Sequence, residues 1–197
     1  MANVNAPSGF KPKRHANGGV VRSNEYQIVG ALAANIYRGS AVINVNTSKR
    51  ITVAAAGNKL AGIFQGCSYV DATGQPQFRP FWASGQTILT GTIARAEVYD
   101  DPDILFGCQV SGSAGLVATD IGNFADLVVG TGSQATGTSG DMLDQSTLGT
   151  TSGQFRIEDL DPIQGNDFGQ YAKALVRINE HEFGPDATTL GNRLSAV

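Results

Sequence analysis

Histidine, cysteine and charge are all scarce in this chain of 197 residues. Its two histidines are His15 and His181, and its two cysteines are Cys67 and Cys108. Two cysteines with no CxxC pair cannot by themselves build a cysteine-based zinc site. They are expected to be buried, reduced thiols, with a disulfide between them as the alternative. Charged residues make up 16% of the chain, below the roughly 25% of ordinary soluble domains. The net charge is -3, too small a balance to argue for free nucleic acid as a partner. No apolar run approaches the ~20 residues of a membrane-crossing helix. The start lacks the apolar core of a secretory signal. No membrane partner is expected, and the chain is expected to be made and kept in a cytosol-like compartment unless it leaves inside something larger.

Groupings able to do chemistry are equally thin. No Gly-x-Ser-x-Gly elbow is present. His181, between Glu180 and Glu182, would need Glu182 or Asp186 to orient it and a serine that no motif supplies. A two-histidine metal site would require the leader carrying His15 to fold over the strand end carrying His181. Gly132 to Ser139 repeats the glycine spacing of a phosphate-binding loop but has Thr138 where the lysine must stand. The most charged spot is Glu97, Asp100, Asp101 and Asp103 around Pro102. It admits three readings: a solvated turn, a Ca²⁺ site without EF-hand spacing, or an acidic dock for a basic segment of a neighbour. No enzyme and no cofactor are expected.

What is abundant is glycine, 25 residues, together with threonine, serine and short β-branched runs. Asn35 to Asp71 sets the pattern: apolar runs cut by polar turns every several residues, which is a series of short strands. A strand is expected within 20–29, a hairpin from 36–45 and 50–54, and another strand over 60–70, where Gly62 and Gly66 suggest a bulge or a close backbone approach. Residues 75–82 hold Phe78, Phe81 and Trp82 between Pro76 and Pro80, and should form an edge strand or extended loop. These rings either pack under a loop or make a contact patch. Strict alternation predicts strands over 87–99 and 171–183, with a further strand over 104–110. Gly130 to Gly153 reads as a long Gly/Thr/Ser-rich loop or an extended excursion.

Three regions follow. Residues 1–22 form a basic leader with Phe10, Lys11, Lys13, Arg14 and Arg22 and no acid before Glu25. Pro7, Gly9, Pro12, Gly18 and Gly19 argue against a regular element there. It reads as a solvated tail, or as an extended arm that orders on a neighbour with Phe10 as anchor. Residues 23–184 form the β body, and 185–197 a polar tail. The fold expected is all-β, a single barrel or sandwich of jelly-roll-like or tulip-like type.

Four stretches also carry a family likeness: the leader Asn5 to His15, the run Leu60 to Asp71, the turn Val98 to Asp103 and the ending Lys173 to His181. Through them the chain resembles capsid cement, or decoration, proteins encoded beside the major capsid protein in tailed bacteriophages. The resemblance implies a homo-oligomer, dimer or trimer, on the capsid exterior of the virion, made in the host cytoplasm. Its partners would be the major capsid protein of an HK97-fold shell and other copies of itself. The candidate interface residues are Phe10, Lys11, Lys13, Arg14 and Arg22 in the leader, Phe78, Phe81, Trp82 and Tyr99 among the aromatics, and Asp100, Asp101 and Asp103 in the acidic turn. Rival expectations are a tail-tube or head-fibre protein, or a surface carbohydrate-binding module using Phe78, Phe81, Trp82 and Tyr99 as a platform.

Overall fold

A computed structural model of the protein describes residues 3–28, 32–45 and 49–183. The described residues form short strands joined by turns. In chain order these are β1 (Lys11–His15), β2 (Asn24–Ile28), β3 (Ile36–Tyr37), β4 (Ala41–Val45), β5 (Arg50–Val53), β6 (Gly62–Val70), β7 (Pro76–Arg79) and β8 (Phe81–Trp82). They continue as β9 (Ala94–Tyr99), β10 (Ile104–Gln109), β11 (Phe124–Ala125), β12 (Leu127–Val128), β13 (Met142–Leu143), β14 (Phe155–Leu160) and β15 (Lys173–Ile178). Two 3₁₀ turns, Ala118–Asp120 and Gln145–Thr147, are the helical pieces. The all-β class is as expected. The tail 185–197, the end of the body at 184 and the turn residues Asn46 to Ser48 lie outside the described residues.

The architecture is a barrel with a sheet packed on it. Strands run β4-β5-β2-β9-β6, and a second pairing of β4 with β6 closes the ring. Closure removes the sheet edges that five short strands would otherwise expose. Alternation decides which side chains fill it. Tyr26, Ile28, Val42, Ile51, Phe64, Ala94, Ala96 and Val98 make the inner cluster, with Cys67, Tyr69 and Trp82. The intervening Ala41 and Ile63 face outward and belong to a second cluster with Phe106, Phe155, Ile157, Ala174 and Val176. The latter come from a five-stranded sheet in the order β1-β10-β15-β14-β11. One strand can thus serve two cores, because successive side chains point to opposite faces.

Gly62 and Gly66 meet both expectations: the β6–β9 register slips between Phe64 and Gly66, and the Gly62 backbone passes so close to Tyr99 that a Cβ would overlap the Tyr99 carbonyl oxygen. Both alternating runs prove shorter than their pattern. Only Ala94–Tyr99 pairs as a strand, since residues 89–92 turn, closed by Thr92 N–H donating to Leu89 O at 3.0 Å. In the second run the ladder strand is Lys173–Ile178: Tyr171, with a φ of 60°, precedes its start, and past its end His181 bridges to Leu60 instead. Periodicity marks side-chain sidedness and is blind to where the backbone leaves the ladder.

The leader departs most from expectation. Residues 11–15 are no free arm; they are β1, an edge strand antiparallel to β10. Pro12 is tolerated because an edge strand has a side that needs no donor, and the register slips between Pro12 and Arg14. Phe10 is 1% exposed and stacks on Phe155 with ring centroids 4.3 Å apart. Lys13 Nζ lies 2.9 Å from the Asp161 carboxylate, itself 3% exposed. Gly107 makes that bridge fit: a Cβ there would stand 2.6 Å from both Asp161 Oδ2 and Lys13 Cε.

The stretch from Gly130 to Gly153 is also built into the body. β13 pairs with β12. Gly130 passes so close to Gly140 that a Cβ would overlap the Gly140 carbonyl oxygen. Ser139 and Asp141 are buried, and Ser40 Oγ donates to Ser139 Oγ at 3.1 Å. Glycine enrichment here reflects backbone-to-backbone packing, which composition alone reads as looseness.

Candidate functional site

The acidic turn follows β9, where the chain reverses into β10. Its carboxylates are occupied by this chain's own groups. Asp100 accepts from Tyr26 Oη at 2.8 Å and from Asn24 Nδ2 at 2.8 Å. Asp101 Oδ2 lies 3.2 Å from His15 Nε2, and its Oδ1 accepts from Asp103 N–H at 2.9 Å. Asp103 accepts from Asn17 Nδ2 at 3.1 Å. A basic leader does meet the acidic turn, but within one chain and through His15 and Asn17. Arg14 and Arg22 stay exposed. The turn is therefore not an open dock for a neighbour. Tyr26 records the same contacts: burial, then the hydrogen bond to the Asp100 carboxylate, pushes its phenol up.

His15, Asp101 and Asp103 bring one ligand atom each within 4.8 Å of one another. The hydrogen bonds fit a staple better than a cation. Asn17 N–H donates to His15 Nδ1 at 3.2 Å, which leaves the proton on Nε2, pointing at Asp101. A metal on Nε2 would require that proton on Nδ1, where the Asn17 N–H already stands. His181 is not part of this trio. It is buried, which pushes its imidazole down, and its Nδ1 accepts from Phe183 N–H at 3.0 Å. Among the described residues no Ser, Thr or Cys side chain hydrogen-bonds a histidine.

The aromatic candidates separate. Trp82 is 0% exposed, in the barrel cluster, with Tyr69 edge-on at 5.3 Å. It cannot serve a contact patch, and the four-ring carbohydrate platform loses its largest member. Phe78 is 82% exposed on β7, which ends the barrel-side sheet beyond β6. Phe81 is half-buried between Tyr37, at 6.1 Å, and the Arg79 guanidinium, 5.9 Å from its ring. Tyr99 is half-buried against Phe106, with ring centroids 6.5 Å apart, and lines a pocket with Lys11 and Arg38.

Of the twelve candidates, Phe10 and Trp82 are core, and Lys13, Asp100, Asp101 and Asp103 are paired internally. Lys11, Arg14, Arg22, Phe78, Phe81 and Tyr99 remain at the surface or at its margin. Arg38 was missed by sequence reasoning. It sits in the unremarkable run after β3, and only the fold brings it to Lys11.

No protein-family model, curated protein or solved structure matches this chain. Its surface must therefore be read on its own chemistry. The cysteines are free and buried, and burial raises both thiols, Cys67 to about 12. Among the described residues no helix is long and apolar enough to cross a membrane.

Proposed function

We propose that this chain is a structural virion protein, a decoration protein that binds the outside of an HK97-fold shell and clamps neighbouring capsomers. The observation that carries the reading is Phe78, 82% exposed on an edge strand flanked by Arg79. A rigid barrel holds this aromatic and cation where a partner can cover them, and aromatics and arginine dominate binding energy at protein interfaces. The family resemblance of the leader, the Leu60 to Asp71 run and the acidic turn supports the same reading. So does a β body held by two cores, which suits a protein under load better than one that must open for a substrate.

The internal fit of β1 changes how such a protein would grip. The clamp would come from body surfaces, with the leader as part of the body. Several weak patches per oligomer would add by multivalency. The test is co-sedimentation with expanded empty shells assembled from the major capsid protein of its phage. Wild-type chain should saturate the shells at a fixed ratio, and Phe78→Asp should remain in the supernatant while melting as wild type does. Wild-type chain that stays in the supernatant, or a label that falls on tails, overturns the reading.

A further inference from the structure

A pocket of about 280 Å³ opens where the leader crosses the barrel, lined among others by Ser8, Lys11, Arg38, Gln65, Tyr99 and Thr138. Two of its lining residues are cationic and none is acidic. Among the described residues Lys11 and Arg38 pair with no carboxylate, whereas Lys13 is taken by Asp161, Arg95 by Glu25 and Arg177 by Glu158. The Gln65 amide and the Tyr99 hydroxyl likewise make no hydrogen bond among the described residues. Burial and the positive neighbours Lys173, Lys13 and Arg38 push the Lys11 ammonium below its ordinary value. Unpaired like charges held together around a concavity are relieved by an anion.

The walls are preformed. Arg38 N–H donates to Pro80 O at 2.9 Å and to Gly137 O at 3.0 Å, and its carbonyl accepts from Ser139 N–H at 3.0 Å. Phe10 N–H donates to Gly39 O at 2.9 Å, fixing the leader against the barrel. Little ordering is needed on binding.

We propose that this pocket takes the carboxylate side chain of an acidic segment of a partner protein, with Lys11 and Arg38 on its oxygens and Tyr99 and Gln65 as neutral donors. This rests on the docking function above, of which it names the chemistry of one contact. A nucleic acid suits the site less. A strand presents successive phosphates and calls for a row of cations, whereas this pocket offers two, Lys11 and Arg38.

The test is calorimetric titration of the full chain at low salt with an acetylated, amidated hexaglutamate peptide. Inorganic phosphate and hexathymidylate are the comparators. Saturable peptide binding is expected. Lys11→Gln and Arg38→Gln should each weaken it up to about fivefold, and the double variant should weaken it at least about tenfold with an unchanged melt. Arg50→Gln, at an exposed residue outside the pocket, should bind as wild type does. A double variant that binds as wild type, an equal loss in Arg50→Gln, or phosphate or hexathymidylate binding as tightly as the peptide overturns the proposal. The assay contains no shell. Shell binding lost with peptide binding intact would sink the docking function alone, and the reverse would sink the pocket alone.

Discussion

Replacing Phe10 with alanine tests whether the leader belongs to the body. The ring is 1% exposed and lies nearly parallel to Phe155, at an interplanar angle of 9°. Truncating a fully buried phenylalanine costs about 3–5 kcal/mol, the lost transfer energy plus the cavity left behind. Native domains hold only about 5–15 kcal/mol in total. With a urea slope of about 2 kcal/mol per molar, the unfolding midpoint should fall by about 1.5–2.5 M. Trp82, the single tryptophan, reports the barrel core by fluorescence, and far-UV circular dichroism reports all strands. Lys13→Met provides an independent probe of the same strand. It leaves the Asp161 carboxylate, 3% exposed, without its cation and should cost about 1–3 kcal/mol. Adding Asp161→Asn should return part of that loss by removing the stranded charge. Deleting residues 1–22 should then leave a chain that is largely unfolded. A Phe10→Ala midpoint within about 0.5 M of wild type by both probes refutes the reasoning, because it makes residues 1–22 a dispensable arm.

Asp141 is buried, and burial raises its carboxyl pKa above the ordinary carboxylate range. The folded state therefore holds this proton more tightly than the unfolded state, so its share of stability is largest below the ordinary carboxylate pKa and is lost as pH rises through the raised one. The melting-temperature gain of Asp141→Asn over wild type should be larger at pH 7 than at pH 4; a gain that does not change with pH would contradict it. Gly130→Ala, which puts a Cβ against the Gly140 carbonyl, should cost roughly 2–3 kcal/mol in urea unfolding. A neutral result would show that the Gly130 to Gly153 stretch is not packed as described. Zinc or a chelator should leave the melting temperature unchanged, and a rise of several degrees that His15→Ala abolishes would replace the staple with a metal site. Cys67 and Cys108 should resist an aromatic disulfide reagent in the native protein and react together on unfolding, as buried thiols with raised pKa do.

The two readings that changed most share a cause. Pro12 and the leader glycines look like breakers, yet an edge strand beside β10 accepts them. Gly130 and Gly140 look like loop residues, yet their missing side chains let two backbones touch. In both places a local signal for irregularity served a non-local contact. The acidic turn erred the other way. Its charge was plain in sequence, but its partners His15 and Asn17 are more than eighty residues away.

Residue pattern alone determined the all-β class, the pairing of β4 with β5 and the sidedness of β9 and β15, because each depends on neighbours two to ten residues apart; that the expected 36–45 arm divides, with β3 pairing β8, was not legible. Tertiary structure alone decided that the strands divide into a closed barrel and a second sheet, that Phe10 and Trp82 are core, and that Lys11 and Arg38 share a pocket. Barrel closure, burial and charge proximity arise from contacts between residues distant in sequence, and a single chain carries no local mark of which distant segments will meet.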